Sequence, residues 1–262
     1  TVCELARGAT EAVAEIIATN EERLIAFPRI IELLYLNKNT RMSTADRIIE
    51  LAARQGLTLD GIAAWNEAKQ AIENELIPEA SDEPTPDDLL FAEVQALGQE
   101  LESRVIADDD DVFDANDEGQ EIVAERILPL YARIANMTVT QKIRCAMLGS
   151  RDARLLLARD RNKIVASAAA RSPLMQEPDV VLITRSRNVP DEVLRILATS
   201  AQWSKSYSVK RNLVENPKTP VALSTKIVPQ LREHDLKALA KSKNVTTPVR
   251  DAARRHLSRR AT

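Results

Sequence analysis

Of 262 residues, 44% are hydrophobic and 29% charged, the balance of a chain that builds a core, and this excludes a wholly disordered polymer. Only 3% are aromatic and 6 are glycine, while Ala, Leu, Ile, Arg and Glu abound, so an all-α fold is expected. The net charge of −3 conceals a polarity: residues 1–132 hold 10 Lys/Arg against 29 Asp/Glu, net −19, and residues 133–262 hold 26 against 10, net +16.

In chain order, residues 1–75 read as a first helical block. The stretch "ELARGATEAVAEII" is similar to the later "LLARDRNKIVASAA", 27 residues separate Thr10 from Asn37, and "ADRIIELAARQGL" and "TLDGIAAWNEAKQAI" are helical by pattern. Residues 76–118 follow as an acidic insert. Pro, Ser and carboxylates at 77–86 read as a linker, Leu90, Val94, Leu97 and Leu101 place a helix over 87–106, and "DDDD" at 108–111 reads as solvated or disordered.

At the end of the insert, "DANDEGQEIVAE" has calcium-loop spacing, with Asp114, Asn116, Glu118, the Gln120 carbonyl and Glu125 as ligands and Gly119 at the turn. Glu118 at the fifth position, Glu121 at a position usually apolar, and the lack of a second such loop favour a solvated acidic connector. No metal or cofactor is therefore expected.

Residues 119–262 read as a basic helical-repeat domain. "MTVTQKIRCAMLG" opens with Thr138 and Gln141 at capping-box spacing and puts Ile143, Met147 and Leu148 on one face. In "VPDEVLRILATSAQ", Val193, Ile196 and Leu197 form an apolar stripe; in "TPVRDAARRHL", Val249, Ala252, Ala253 and Leu257 do the same. Such short helices must bury their stripes against neighbours to be stable. Aligned on Asn162, Asn188, Asn216 and Asn244, the segments recur at intervals of 26, 28 and 28 residues, the signature of a solenoid. The most distinct turn, "LVENPKTPVALS" at Leu213–Ser224, has a looser copy, "LYLNKNTRMSTA", at Leu34–Ala45.

The stretch "VKRNLVENPKTPVAL", Val209 to Leu223, resembles the unit of bacterial leucine-rich repeat variant proteins, "VRxxLAxNPxTPxxLL", a HEAT-like pair of short helices. The likeness covers about 150–262, with a fainter match over 1–60, and implies a right-handed α-solenoid; with the acidic insert read from composition, the expected fold is an all-α right-handed superhelix carrying that insert. Some members of that family hold an iron–sulfur centre on clustered cysteines. With only Cys3 and Cys145, far apart in sequence, that cofactor is not carried over.

Relative to the turn asparagines, positions −3 and −1 are Arg159 and Arg161, Arg185 and Arg187, Leu213 and Glu215, and Lys241 and Lys243, with Lys218 near the gap. Stacked, they form a basic ridge suited to an acidic protein or to phosphates. The acidic insert reads as a competitor for that ridge. The tail adds Arg250, Arg254, Arg255, Arg259 and Arg260, and Trp203 and Tyr207 stand four apart, as on one helix face, either to stack bases or to fill the core.

His234 and His256 lack a recognisable nucleophile or metal partner, and Asp152 and Asp160 are unmarked carboxylates; there is no Gly-rich phosphate loop, GxSxG or HExxH. The expected function is a non-catalytic scaffold binding a protein partner, with a nucleic-acid-binding module as the alternative. The cysteine usage, the lack of a leader and the absence of an apolar run of roughly 18 residues point to a cytoplasmic setting.

Overall fold

Amphipathic stretches of seven to ten residues, punctuated by Pro, Gly, Ser and Asn, produce many short helices instead of a few long ones. The computed structural model describes residues 2–73, 75–77, 79–81, 83–104, 112–116 and 121–261. Among them it contains seventeen α-helices and one two-stranded hairpin, so the all-α expectation holds.

Packing divides the chain into one unit of Thr1–Leu157 with Arg171–Leu174, and a second of Ala158–Ala170 with Met175–Thr262. The first contains α1 (Val2–Arg7), α2 (Glu11–Ala18), α3 (Glu21–Ala26), α4 (Arg29–Tyr35), α5 (Met42–Arg54), α6 (Trp65–Ile72) and α7 (Pro86–Arg104). After the hairpin it continues with α8 (Leu128–Ala135), α9 (Val139–Leu148) and α10 (Arg151–Leu157). The second contains α11 (Lys163–Ala170), α12 (Glu177–Arg185), α13 (Asp191–Thr199), α14 (Tyr207–Glu215), α15 (Val221–Ile227), α16 (Glu233–Lys241) and α17 (Thr247–Ala261).

In the first unit α5 buries Met42, Ala45, Ile48, Ile49 and Ala52 on one face. It stops at a Schellman motif: Gly56 has φ 66°, where a side chain would be strained, and the amides of Gly56 and Leu57 donate to the carbonyls of Ala53 (3.1 Å) and Ala52 (2.9 Å). The insert helix α7 packs against α5, α8, α9 and α10. Its buried face is Asp88, Phe91, Val94 and Gly98, one step off the expected Leu90–Val94–Leu97–Leu101 stripe. Two constraints set that rotation. Asp88 accepts from the backbone N–H and hydroxyl of both Ser43 (2.8 and 3.0 Å) and Thr85 (2.8 and 2.9 Å). A Cβ at Gly98 would collide with the Ser150 side chain, so only glycine allows this approach.

Helix α9 starts as its sequence predicts. Thr138 Oγ1 accepts from the Gln141 N–H (3.3 Å), Gln141 Oε1 accepts from the Thr138 N–H (2.9 Å), and Ile143, Met147 and Leu148 are buried. Between Ile143 and Cys145, however, sits Arg144, fully buried at 0% exposure. Its Nε donates to the Tyr35 carbonyl (3.0 Å), its Nη1 to that of Arg41 (3.2 Å), and its Nη2 to those of Asn37 and Thr40 (both 2.9 Å). The guanidinium also lies over the rings of Phe91 (4.9 Å) and Tyr35 (5.7 Å). It thus clamps the C-terminal end of α4 and the turn after it, where carbonyls gather and the helix dipole favours a cation.

Asp46 lies 3.5 Å from the Thr140 hydroxyl, and burial pushes its carboxyl up to about 8 against the opposing field of Arg144. Above the unperturbed value of about 3.9 the unfolded chain releases this proton while the folded chain keeps it, so stability falls as pH rises towards 8 and the fall ends above it. The urea midpoint is therefore expected to decline between pH 5 and 8, and Asp46→Asn to flatten that decline. An undiminished slope in the variant would show that another group is responsible.

The acidic insert differs from expectation at its end. Phe113–Ala115 and Glu121–Val123 pair as antiparallel strands, with Asp114 opposite Ile122 and Ala115 opposite Glu121. An EF-hand loop lies between two helices; here the two strands overlap the Asp114–Glu125 span itself. Glu118, Gln120 and the DDDD stretch at 108–111 lie outside the described residues.

In the second unit α11 packs on α13, α12 on α14, and α15 on α17, while α13, α14 and α15 also pack in sequence and α16 packs on α17. The stripe of α13 is Val193, Leu194 and Leu197, with Ile196 only half-buried. Val249 and Ala253 of α17 are buried, Ala252 and Leu257 half-buried. Two arginines of the basic tail are tied down: Arg250 reaches the Ser242 carbonyl (3.4 Å) and Arg254 that of Ala240 (3.2 Å), at the C-terminal end of α16.

Candidate functional site

One turn recurs throughout the molecule. After α4 the Asn39 N–H donates to Asn37 Oδ1 (3.0 Å), and after α10 that of Asn162 to Asp160 Oδ1 (2.7 Å). After α12, α14 and α16 the N–H groups of Asn188, Lys218 and Asn244 donate to Ser186 Oγ (3.1 Å), Asn216 Oδ1 (3.0 Å) and Ser242 Oγ (3.2 Å). Asp, Ser and Asn side chains all make this local bond two residues ahead.

Asn37 and Asn216 make further bonds of the same kind. Asn37 Nδ2 donates to the carbonyls of Ala6 (3.1 Å) and Ala9 (3.0 Å), in the last turn of α1 and just beyond its end; Asn216 Nδ2 donates to those of Thr184 and Ser186 (both 2.8 Å), at the end of α12. The likeness between Leu34–Ala45 and Leu213–Ser224 therefore reflects one device: a turn asparagine that caps a neighbouring helix with its amide.

The turns shift the register read from asparagines alone. The equivalent residues are Asp160, Ser186, Asn216 and Ser242; Asn162, Asn188 and Asn244 belong with Lys218. The position three before the turn residue is Leu157, Ile183, Leu213 and Leu239, all buried. The position just before it is Arg159, Arg185, Glu215 and Lys241, and just after it Arg161, Arg187, Pro217 and Lys243. Cations at these places also complement the negative ends of helices, an ordinary structural benefit.

Within the second unit, two adjoining clefts share Arg185, Asn212 and Glu215. One, of about 380 Å³, is further lined by Arg187, Asn216, Leu239, Ser242 and Asn244; the other, of about 720 Å³, by Tyr207, Arg211, Arg232, His234 and Asp235. The walls are α12, α14 and α16. Tyr207 donates its hydroxyl hydrogen to Asp235 and accepts from the Arg232 N–H (3.0 Å), and the Arg232 guanidinium lies 4.5 Å from its ring centre. Arg211 Nε reaches Glu215 Oε1 (2.9 Å) and Asp235 Oδ1 (3.6 Å). The hydrogen bond from Tyr207 holds the Asp235 carboxyl below the usual carboxylate range, while burial and the same bond raise the Tyr207 phenol.

Of the seven ridge cations read from sequence, Arg185 and Arg187 line the first cleft together. Arg159 is half-buried and donates from Nε to Ser186 Oγ (3.2 Å). Arg161, Lys218, Lys241 and Lys243 are exposed and do not line either cleft. Among the described residues, the side chains of Arg185 and Arg187 have no hydrogen-bond or ion-pair partner. Sequence reasoning missed Arg211, Arg232 and Asp235, which carry no periodic signal.

The remaining candidates have structural surroundings. Trp203 is buried in a 3₁₀ turn and Tyr207 opens α14 beyond the Ser206 cap, so they do not share one helix face as the four-residue spacing suggests. Asp152 is buried against Arg126 (3.3 Å), and Asp160 serves its turn. Cys145 is buried, which raises its thiol to about 12. His234 is exposed beside Asp235 and His256 is half-buried on α17. Among the described residues no group of three or more His, Cys, Asp or Glu is placed to hold a metal ion, and no helix is long and apolar enough to cross a membrane. Comparison with family models, curated proteins and solved structures finds no match.

Proposed function

We propose that the chain is a non-catalytic helical-repeat scaffold, HEAT-like in its second unit, that binds a protein partner along the cleft formed by α12, α14 and α16. The packing of α11 on α13, α12 on α14 and α15 on α17, the recurring turn and the likeness of Val209–Leu223 to a leucine-rich repeat variant unit support the repeat reading.

The observation that carries the choice of partner is the mixed lining: Arg185 and Arg187 offer donors, while Glu215 and Asp235 offer acceptors within the same surface. A polypeptide supplies main-chain N–H groups as well as carbonyls and carboxylates. A DNA phosphodiester backbone supplies acceptors only, and a carboxylate in its path repels it. The exposed Arg161, Lys218, Lys241 and Lys243 favour the second reading, a nucleic-acid-binding module.

The test is capture on the immobilised full chain, with anisotropy of labelled DNA and RNA run in parallel across a salt series. A protein retained by the wild type and lost from an Arg185→Glu/Arg187→Glu variant is the expected result. Nucleic acid bound with a steep logarithmic salt slope, and lost from the same variant, would replace the protein reading with the alternative.

A further inference from the structure

Arg185 is the last residue of α12, Ser186 after it is extended (φ −65°, ψ 138°), and Arg187 follows. Both arginines line the same cleft. Each is exposed, and neither has a side-chain partner among the described residues. The carboxylates that line the two clefts, Glu215 and Asp235, are already engaged by Arg211 at 2.9 and 3.6 Å. Beside the arginines Asn216 is committed to carbonyls and its own turn, whereas Asn244 lines the cleft from the turn after α16 with an exposed side chain.

Resting on the scaffold reading above, we infer that this cleft takes an acidic polypeptide segment in extended conformation, with carboxylates at alternate positions facing Arg185 and Arg187. An extended chain repeats its side chains on one face every two residues, about 6.8 Å, so carboxylates at alternate positions present one acceptor group to each of the two cations. Guanidinium groups receive carboxylates by two parallel hydrogen bonds. The Asn244 amide is then available to the peptide main chain, and Glu215 at the far wall accepts from a peptide N–H.

The experiment is fluorescence anisotropy of the full chain with labelled Glu-Ser-Glu-Ser-Glu-Ser, with its Gln-for-Glu analogue, with the block isomer Glu-Glu-Glu-Ser-Ser-Ser, and with oligothymidine. The alternating peptide is expected to bind best, the Gln analogue not to bind, and Arg185→Gln/Arg187→Gln to weaken the alternating peptide about tenfold, as two exposed ion pairs would. Unchanged thermal melting of the variant, expected for surface positions, separates lost contacts from lost fold.

Equal binding of block and alternating peptides, or no response to the arginine substitutions, overturns the inference. In that case a protein captured by the wild type still upholds the scaffold. Preferential binding of oligothymidine through the same two arginines overturns both.

Discussion

Replacing Arg144 by methionine is expected to destabilise the first unit by about 3–5 kcal/mol, the range for removing one side of a buried charged network. The side chain is fully buried, and its loss leaves the carbonyls of Tyr35, Asn37, Thr40 and Arg41 without their donor in a place water does not reach freely. Methionine restores the volume and the contact with Phe91, so the loss reports on hydrogen bonding and charge more than on a cavity. Arg144→Lys is expected to recover only part, because an ammonium cannot serve four carbonyls from one plane or stack on Phe91 and Tyr35 in the same way.

The measurement is urea unfolding followed through Trp65, which is buried in the first unit, in a Trp203→Phe background. A methionine variant within about 1 kcal/mol of its parent, a typical surface-level effect, would mean that the turn holds itself together without the clamp. A lysine variant equal to wild type would mean that charge, not the planar fork, is what the turn requires.

The second large effect is expected at Asn216. Its amide donates to Thr184 and Ser186 and its oxygen accepts from the Lys218 N–H, and the residue is 5% exposed. Asn216→Ala removes all three bonds and is expected to destabilise the second unit by about 2–3 kcal/mol. Asn216→Asp is the sharper variant. At neutral pH it keeps the acceptor for Lys218 but sets a carboxylate against two carbonyls, which raises its folded-state pKa. Stability lost by that variant at neutral pH is therefore expected to return in part as pH falls, when a proton supplies one donor.

Trp203 in a Trp65→Phe background is the reporter, each variant being compared with its parent at the same pH. If Asn216→Asp matches its parent at neutral pH, the amide bonds to α12 contribute nothing measurable, and the capping account of this turn fails.

Local chemistry explains what was legible in the sequence. The Thr138–Gln141 capping box lies within four residues, so composition and spacing suffice to place the start of α9. The kinship of Leu34–Ala45 and Leu213–Ser224 was legible because both turns use asparagine for a job that needs an amide donor and a carbonyl acceptor at once. The register of the other turns was not, because Asp160, Ser186 and Ser242 make the same local bond with different side chains, and alignment on asparagine slipped by two residues.

Arg144 reads in isolation as a charged residue in an apolar stretch. Its partners are backbone carbonyls as far as 109 residues away, and a backbone carbonyl has no signature in a side-chain alphabet. The pairing of Arg185 with Arg187 across a helix end was visible as spacing. Which cations face a shared cleft, and that Arg211 would occupy Glu215 and Asp235 while leaving that pair unpartnered, depended on how α14 and α16 come to lie beside α12. Helix starts, helix class and the repeated asparagine turn were thus determined by short-range sequence; the clamp and the cleft were decided by tertiary packing, because the groups that make them meet only when distant helices close around them.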